Sequence, residues 1–370
     1  MTQPKVHPYP VSWQVPERPR LKEGLTPVWR DEVTIQIGLD PSRATVLGDV
    51  SPEAAAVLRL LDGSRHRSEL EEIGGPPVRE LLALLAREGL LAEAGAAAPL
   101  ADVDGDARRR CAPEIAALSL RHSQPAAGPH LFGERRRRRV VVHGAGRLGT
   151  GLAHLLAASG VGRVTVDDEA RVRPEDVCPG AASSADVGLR RGAAATALTV
   201  RALPPAVIAG HHDVALICAD SPLPPTPQAV DAVLNADTAV LPVTIRESTA
   251  IVGPFFVPGS IEQSGCPWCA DLHRTDRDPQ WPVICGQLRS AGVAGPPAAT
   301  LVWATAALAA GQCLEYLDGL ADGTGRSASS PAIACLGATL ELAGAGWAWR
   351  RRWWGPHPDC RCRSPLRAAV

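Results

Sequence analysis

Lysine is almost absent from this chain: Lys5 and Lys22 are the only two. A catalytic lysine beyond residue 22 is thereby excluded. Arginine carries nearly all the positive charge, which reads as codon bias of a GC-rich genome and not as function. Charge of either sign is also lacking in excess, with a formal net charge of −1. Nothing in that balance pulls the chain toward nucleic acid or an anionic membrane. Aromatics make up 4% of residues, so the core must be built from Ala, Val and Leu. Long apolar runs are missing too. Pro297 to Ala310 is too short to cross a bilayer, and Pro331 to Trp349 is interrupted by Glu341. The opening MTQPKVHPYP has no charged-then-apolar signal segment. The expectation is a soluble cytoplasmic protein with neither membrane nor nucleic-acid partner. Ten cysteines in a 370-residue chain of that kind read as cytosolic thiols or a metal site, not a disulfide scaffold.

What is present falls into two patterns. Residues 1–27 are a proline-bearing lead-in without a clear period. From Asp31, DEVTIQIGL alternates like a strand, and Ala44 to Leu47 can pair with it across the Asp40-Pro41-Ser42 turn. Ser51-Pro52-Glu53 starts a helix: a capping hydroxyl, a first-turn proline, an early acid. That helix ends near Gly63, a second begins after Ser68, and a third spans Pro77 to Glu88. Its stripe of Leu81, Leu82, Leu84 and Leu85 is apolar. Leu90-Leu91-Ala92 closes the unit as a short strand. Residues 28–95 thus predict a small winged-helix-like α+β domain, and 96–135 a linker. The arginines Arg135 to Arg139 read as a solvated lead into a buried strand, since no aromatics interleave them.

Residues 136–370 change to an α/β pattern. Val140-Val141-Val142-His143 is a continuous apolar run, as in a strand buried on both faces. A helix follows to Ser159, then strands at Arg163 to Asp167, Asp213 to Cys218 and Thr238 to Ile245. This alternation predicts a doubly wound, mainly parallel sheet of Rossmann type. Between the first strand and its helix lies Gly144-Ala145-Gly146-Arg147-Leu148-Gly149, a G-x-G-x-x-G loop. Gly144 permits the tight turn, Gly146 lets backbone approach a phosphate, and Gly149 lets helix and strand pack closely. Asp168 follows at a spacing suited to a ribose hydroxyl. The loop alone admits a dinucleotide, ATP, or a Rossmann-like fold without ligand.

Gly265-Cys266-Pro267-Trp268-Cys269 is a C-x-x-C with an internal proline, and His357-Pro358-Asp359-Cys360-Arg361-Cys362 supplies a second pair. Four thiolates suit a closed, structural zinc site. The tight C-x-C leaves room for His357 or His273 to replace one thiolate. A redox pair at Cys266/Cys269 and unliganded cysteines remain open beside it.

In order, the glycine loop, a strand ending in aspartate, DVALICADS, C-x-x-C, an apolar helix over Ala291 to Ala310 and a second cysteine pair resemble the ThiF/MoeB/HesA family, whose superfamily includes ubiquitin-activating enzymes. The resemblance covers about residues 136–363. It implies ATP and Mg²⁺, adenylation of the C-terminus of a small ubiquitin-like or sulfur-carrier protein, and a homodimer. Asp168 matches the family's ribose-binding aspartate, and Asp220 the one associated with Mg²⁺ and adenylation. Arg191 stands where the family has a phosphate-binding lysine. Four positions depart from the pattern: Arg147 replaces a loop glycine, Asp176 and Pro179 stand for an asparagine and an arginine, and Ser221 for an asparagine. The N-terminal strand pair and three helices, with LLDG at Leu60 to Gly63, resemble a PqqD-type peptide-recognition element. The pair of domains resembles leader-peptide-binding proteins of azole-forming (cyclodehydratase) pathways. There the element captures a leader by strand addition, with Asp31 to Leu39 as the expected edge here and Leu81 and Leu85 as groove floor, while a YcaO-type partner enzyme uses ATP. The reading that follows is a zinc-bound, partly degenerate ThiF-like protein that recruits a peptide for a partner enzyme. The alternative is an active adenylyltransferase. An NAD-dependent oxidoreductase ranks third, with no acid/base pair visible near the loop. Cys285 reads as structural rather than nucleophilic.

Overall fold

A computed structural model describes residues 14–41, 43–96, 103–218, 223, 238–258, 264–291, 297–321, 333–360 and 362. Asp220 and Ser221 lie outside the described residues. The chain divides into two compact units, residues 1–133 and 134–370.

The first unit contains β1 (Pro19–Leu21), β2 (Pro27–Trp29), β3 (Ile35–Ile37), β4 (Thr45–Leu47), α1 (Pro52–Leu58), α2 (Arg67–Arg87), β5 (Leu91–Glu93) and α3 (Gly105–Arg121). The α1 start matches its sequence signature: Ser51 Oγ accepts the Ala54 N–H at 3.2 Å. The two expected later helices are one run broken at Gly75, whose φ of 62° no helix contains. Strands β2, β3 and β4 form an antiparallel sheet in that order. Ile35, Ile37 and Leu47 face a core with Leu81, Leu82 and Leu85. Two expectations fail here. The Asp31 to Leu39 strand is β3, which lies in the middle of its sheet with a neighbour on each side, so it offers no open edge. Leu85 and Leu81 are core residues, 0% and 7% exposed, and cannot floor a groove. Where a linker is expected, the chain forms α3 and α4 (Ala127–Arg135), the latter running into the second unit.

The second unit continues with β6 (Arg139–His143), α5 (Arg147–Ala158), β7 (Arg163–Asp167), α6 (Arg191–Ala202), β8 (Val214–Ile217), β9 (Ala239–Arg246), β10 (Thr249–Val252), α7 (Pro267–Arg277), α8 (Trp281–Ala291), α9 (Ala299–Ala321), β11 (Ala338–Ala343) and β12 (Trp349–Trp353). Its seven strands run β12-β11-β10-β9-β8-β6-β7. The pairs among β6, β7, β8 and β9 are parallel, and those from β9 to β12 antiparallel. The protein is therefore α/β, with a parallel half that carries the glycine loop and an antiparallel extension. Val140, Val142, Val214, Leu216 and Leu241 join Leu152 and Leu156 of α5 and Ala306, Ala309 and Cys313 of α9 in one core. Such burial is worth roughly 1.5–3 kcal/mol per large side chain.

The arginine run is not uniformly solvated. Arg135 forms a two-pronged pair with Asp318, at 2.7 Å on each prong, and both are buried. Arg136 is buried too and donates to the Pro204 carbonyl. No described helix is long and apolar enough to cross a membrane.

Candidate functional site

The loop between β6 and α5 is shaped by its glycines. Gly144 adopts φ +93°, a region side chains avoid, and Gly146 is the N-cap of α5 without a side-chain cap of its own. The first-turn N–H groups of α5 are therefore turned toward the loop, the arrangement that receives a phosphate. A Cβ on Gly149 would stand 1.8 Å from the Gly144 carbonyl oxygen, so helix and loop touch backbone to backbone.

Asp168, just past β7, reaches back to this loop. Its Oδ2 accepts the Ala145 N–H at 2.7 Å and its Oδ1 the Ala170 N–H at 2.8 Å. Arg191 opens α6 and is buried. Its Nε and Nη2 donate to Asp176 at 2.9 and 2.8 Å, and its Nη1 lies 3.7 Å from Asp168. The fold thus brings together Gly144, Gly146, Gly149, Asp168 and Arg191. It also adds Asp176, which stands in place of the family asparagine. Both partners of the Arg191–Asp176 pair are 6% exposed at the side chain. Breaking such a buried pair costs about 3–5 kcal/mol. Arg191 is held as a structural cation facing an aspartate. No sequence signal announces the pairing, because the 15-residue separation closes only when β7, the 3₁₀ turn at Pro174–Asp176 and α6 are in place. A cleft of about 290 Å³ beside β7 is lined by Val161, Val164, Thr199 and Leu203. It lies toward the start of that strand, away from the glycine loop at its end, and ligands of open α/β sheets bind at the carboxyl ends.

Cys266 caps α7 and Cys269 sits one turn inside it, while Cys360 and Cys362 follow β12. The Sγ atoms of Cys266 and Cys269 are 3.8 Å apart, those of Cys266 and Cys360 3.6 Å, and those of Cys269 and Cys362 3.6 Å. Among the described residues all four thiols are free and buried. They form a group able to hold a metal ion. The Cys266 S–H donates to the Cys269 sulfur, which pushes the Cys266 thiol up, whereas hydrogen bonds from the neighbouring thiols and the His357 backbone N–H pull Cys269 down. Neither histidine considered as a substitute joins the cluster. His357 Nε2 faces Asp276 at 2.8 Å while its Nδ1 accepts the Asp359 N–H at 3.1 Å, and His273 Nε2 meets the Gly355 carbonyl at 3.0 Å. The ligand atoms of His273, Asp276 and His357 nonetheless lie close enough together to form a second group able to hold an ion. Cys285 on α8 is buried, and burial pushes its thiol up, away from the reactive thiolate.

Residues 125–240 match the model of the ThiF family. The chain carries a ThiF-family domain. Among solved structures, E. coli MccB with succinimide is similar at TM-score 0.68 and 14% identity, over 93% of this chain and 98% of that one. E. coli MccB with ATP aligns at TM-score 0.66 with the same identity and coverage. PaaA aligns at TM-score 0.65 and 17% identity, over 90% of this chain and 99% of that one. At these identities what is shared is the fold, and in the ThiF domain the fold delivers a glycine loop, an aspartate and a buried arginine to one place. No curated protein matches.

Proposed function

We propose that this protein binds a peptide through its first unit and presents it for modification, with a ThiF-family domain that is partly degenerate as an adenylating site. The observation that carries the reading is the Arg191–Asp176 pair, which takes the cation at the family's phosphate-binding position out of play. Adenylation is mostly charge stabilisation of phosphates. A site whose cation is neutralised, and which has Arg147 for a loop glycine and Ser221 for an asparagine, loses that stabilisation. A YcaO-type partner enzyme would then supply the chemistry, and the protein would act as a homodimer. The neighbour described as Microcin C7 biosynthetic enzyme MccB is in complex with N-formylated MccA, which supports a peptide as substrate here.

In this reading the four cysteines hold a structural zinc. Tetrahedral thiolates about 2.3 Å from zinc lie about 3.8 Å from one another. The observed separations of 3.6 to 3.8 Å fit that cage, and a disulfide sulfur pair would stand near 2.05 Å.

The recognition edge moves from β3 to β4. Arg30 donates to Thr34 at 2.8 Å, which sets the bonding phase of the β2–β3 pair and turns Ile35 and Ile37 toward β4. The Val46 N–H therefore points out of the sheet. At the opposite edge the outward positions of β2 are Trp29 and Pro27, and Pro27 has no N–H to give. Val46 itself is exposed at 49%.

The second reading is an active adenylyltransferase, using Gly144, Gly146, Gly149, Asp168 and Asp220 with ATP and Mg²⁺. It is favoured by the neighbour solved with ATP and by the one solved with AMPCPP and MccA. One experiment with two readouts separates them. Full-length protein is mixed with precursor peptides encoded nearby, and peptide binding and ATP–pyrophosphate exchange are measured. Recruitment predicts binding that weakens in Val46→Pro with negligible exchange. Robust exchange that disappears in Asp220→Ala overturns the degenerate reading, and the absence of binding overturns recruitment.

A further inference from the structure

Strand β12 ends the seven-stranded sheet, and no described strand pairs with its outer side. The hairpin it forms with β11 gathers Trp347, Trp349 and Trp353, exposed at 49, 56 and 52%. An edge strand that no described strand covers, with an exposed tryptophan at each end, is what folded proteins usually blunt. Here it is kept, with arginine between the tryptophans.

The register assigns each group a direction. Ala343 donates to the Ala348 carbonyl at 3.0 Å, and Trp354 donates to the Gly337 carbonyl at 2.9 Å. In an antiparallel pair inward-bonding residues alternate. Residues 348, 350, 352 and 354 therefore spend their backbone groups on β11. The N–H and C=O groups of Trp349, Arg351 and Trp353 point outward, and the side chains of those three residues share one face of the strand.

The charges divide by face as well. Arg350 and Arg352 share Glu341 of β11, Arg350 Nε at 2.9 Å and Arg352 Nε at 3.2 Å. On the other face no described carboxylate pairs with Arg351. It lies 5.6 Å from the Trp353 ring centroid and donates through Nε to the Ala334 carbonyl at 2.7 Å. The outer edge thus presents tryptophan, arginine, tryptophan at every second residue, the outer two separated by about 13 Å.

We propose that β12 pairs with an extended segment of another protein in which an acidic residue stands between two apolar residues, each two positions away. Its backbone would continue the sheet, its carboxylate would meet Arg351, and its apolar side chains would lie on Trp349 and Trp353. Aromatic and arginine side chains are the residues that dominate binding energy at interfaces. A second copy of this chain is the wrong occupant. Antiparallel self-pairing about Arg351 sets arginine opposite arginine along the strand, and like charges directly opposite destabilise a sheet. A single-stranded nucleic acid would use the rings and the guanidinium. It would leave the three outward N–H and C=O pairs half-used, because a phosphodiester offers acceptors and no donors. The edge is separate from β4, so it is a second peptide-binding surface whether or not the first unit recruits a leader.

The test uses the full chain and a fluorescently labelled nonapeptide, Gly-Thr-Val-Thr-Glu-Thr-Val-Thr-Gly, read by anisotropy. Saturable binding is expected, weakened about tenfold by Arg351→Pro, which removes one outward N–H and no bond to β11. Arg351→Glu should weaken it similarly and prefer the same peptide with lysine in place of glutamate. That exchange of preference distinguishes recognition from loss of fold, which unchanged thermal melts of both variants would confirm. Three results overturn the proposal: no saturation up to about 1 mM peptide, equal binding by the wild type and Arg351→Pro, or a dodecamer of uridine binding more tightly than the peptide and displacing it.

Discussion

Replacing Cys266 by serine should unfasten two parts of the second unit that are 94 residues apart in sequence. A cross-link closing a loop of that length removes enough chain entropy from the unfolded state to be worth about 4–5 kcal/mol. Zinc held by four thiolates closes the same loop, and its binding energy is folding energy. Whole-domain stabilities are about 5–15 kcal/mol. The substitution therefore removes a third or more of what holds residues 134–370 together. For a unit of that size the melting temperature should fall by roughly 10–20 °C. The measurement is calorimetry on protein purified under reductant, with metal content determined on the same sample, for wild type, Cys266→Ser and chelator-treated wild type. One zinc per chain is expected in the first and less in the others, with the two depleted samples melting together. A wild type that carries no zinc, or a chelated protein that melts with the untreated one, refutes the reasoning and returns the cysteines to a packed thiol cluster.

Gly149→Ala should destabilise the second unit by about 3 kcal/mol or more, since its Cβ would meet the Gly144 oxygen at 1.8 Å with only backbone to yield. Gly151→Ala, two residues on and with its Cβ 3.7 Å from the Trp303 ring, should instead stabilise α5 by up to about 1 kcal/mol; denaturant melts of the pair check the contrast. Burial, helped by Arg43, pushes Lys22 down to about 8. Below that pH the folded and unfolded chains both hold the proton and folding bears the desolvation of the ammonium. Between about 8 and 10.5 the folded chain releases it first, so the stability of residues 1–133 should rise with pH across that window. Lys22→Met should flatten the rise, and a wild-type profile that falls throughout contradicts the assignment.

The elements legible in the sequence are those with strong local signals. Val140 to His143 shows a strand buried on both faces, Ser51-Pro52 a capped start, and the spacing of Gly144, Gly146 and Gly149 a phosphate-type turn. The four thiols were also legible, because cysteine pairs of that spacing suit few other arrangements. What escaped depends on contacts distant in sequence. Alternation marks Asp31 to Leu39 as a strand but says nothing of whether it is central or marginal, and β2 is only Pro27–Trp29. Arg135 and Arg136 belong to a polar run by composition, yet Asp318 and the Pro204 carbonyl draw them inside. Likeness to a phosphate-binding lysine singles out Arg191 but does not show that Asp176 pairs with it. Strand β12 has no signal of its own in the sequence, because WRRRW alternates too briefly to show which face each residue takes.

The thiol cluster also fixes an order of events during synthesis. Domains fold from the N-terminal side as the ribosome releases them. Strands β6 to β9, with the glycine loop among them, are complete once residue 246 has emerged. Cys266 and Cys269 then appear long before Cys360 and Cys362. For that interval the nascent chain exposes half of the cluster, two thiols able to be oxidised to one another. Closure waits for the last thiol, so the cluster is completed on a sheet that is already built, and a chain interrupted after β12 would hold every described strand and still lack that cluster.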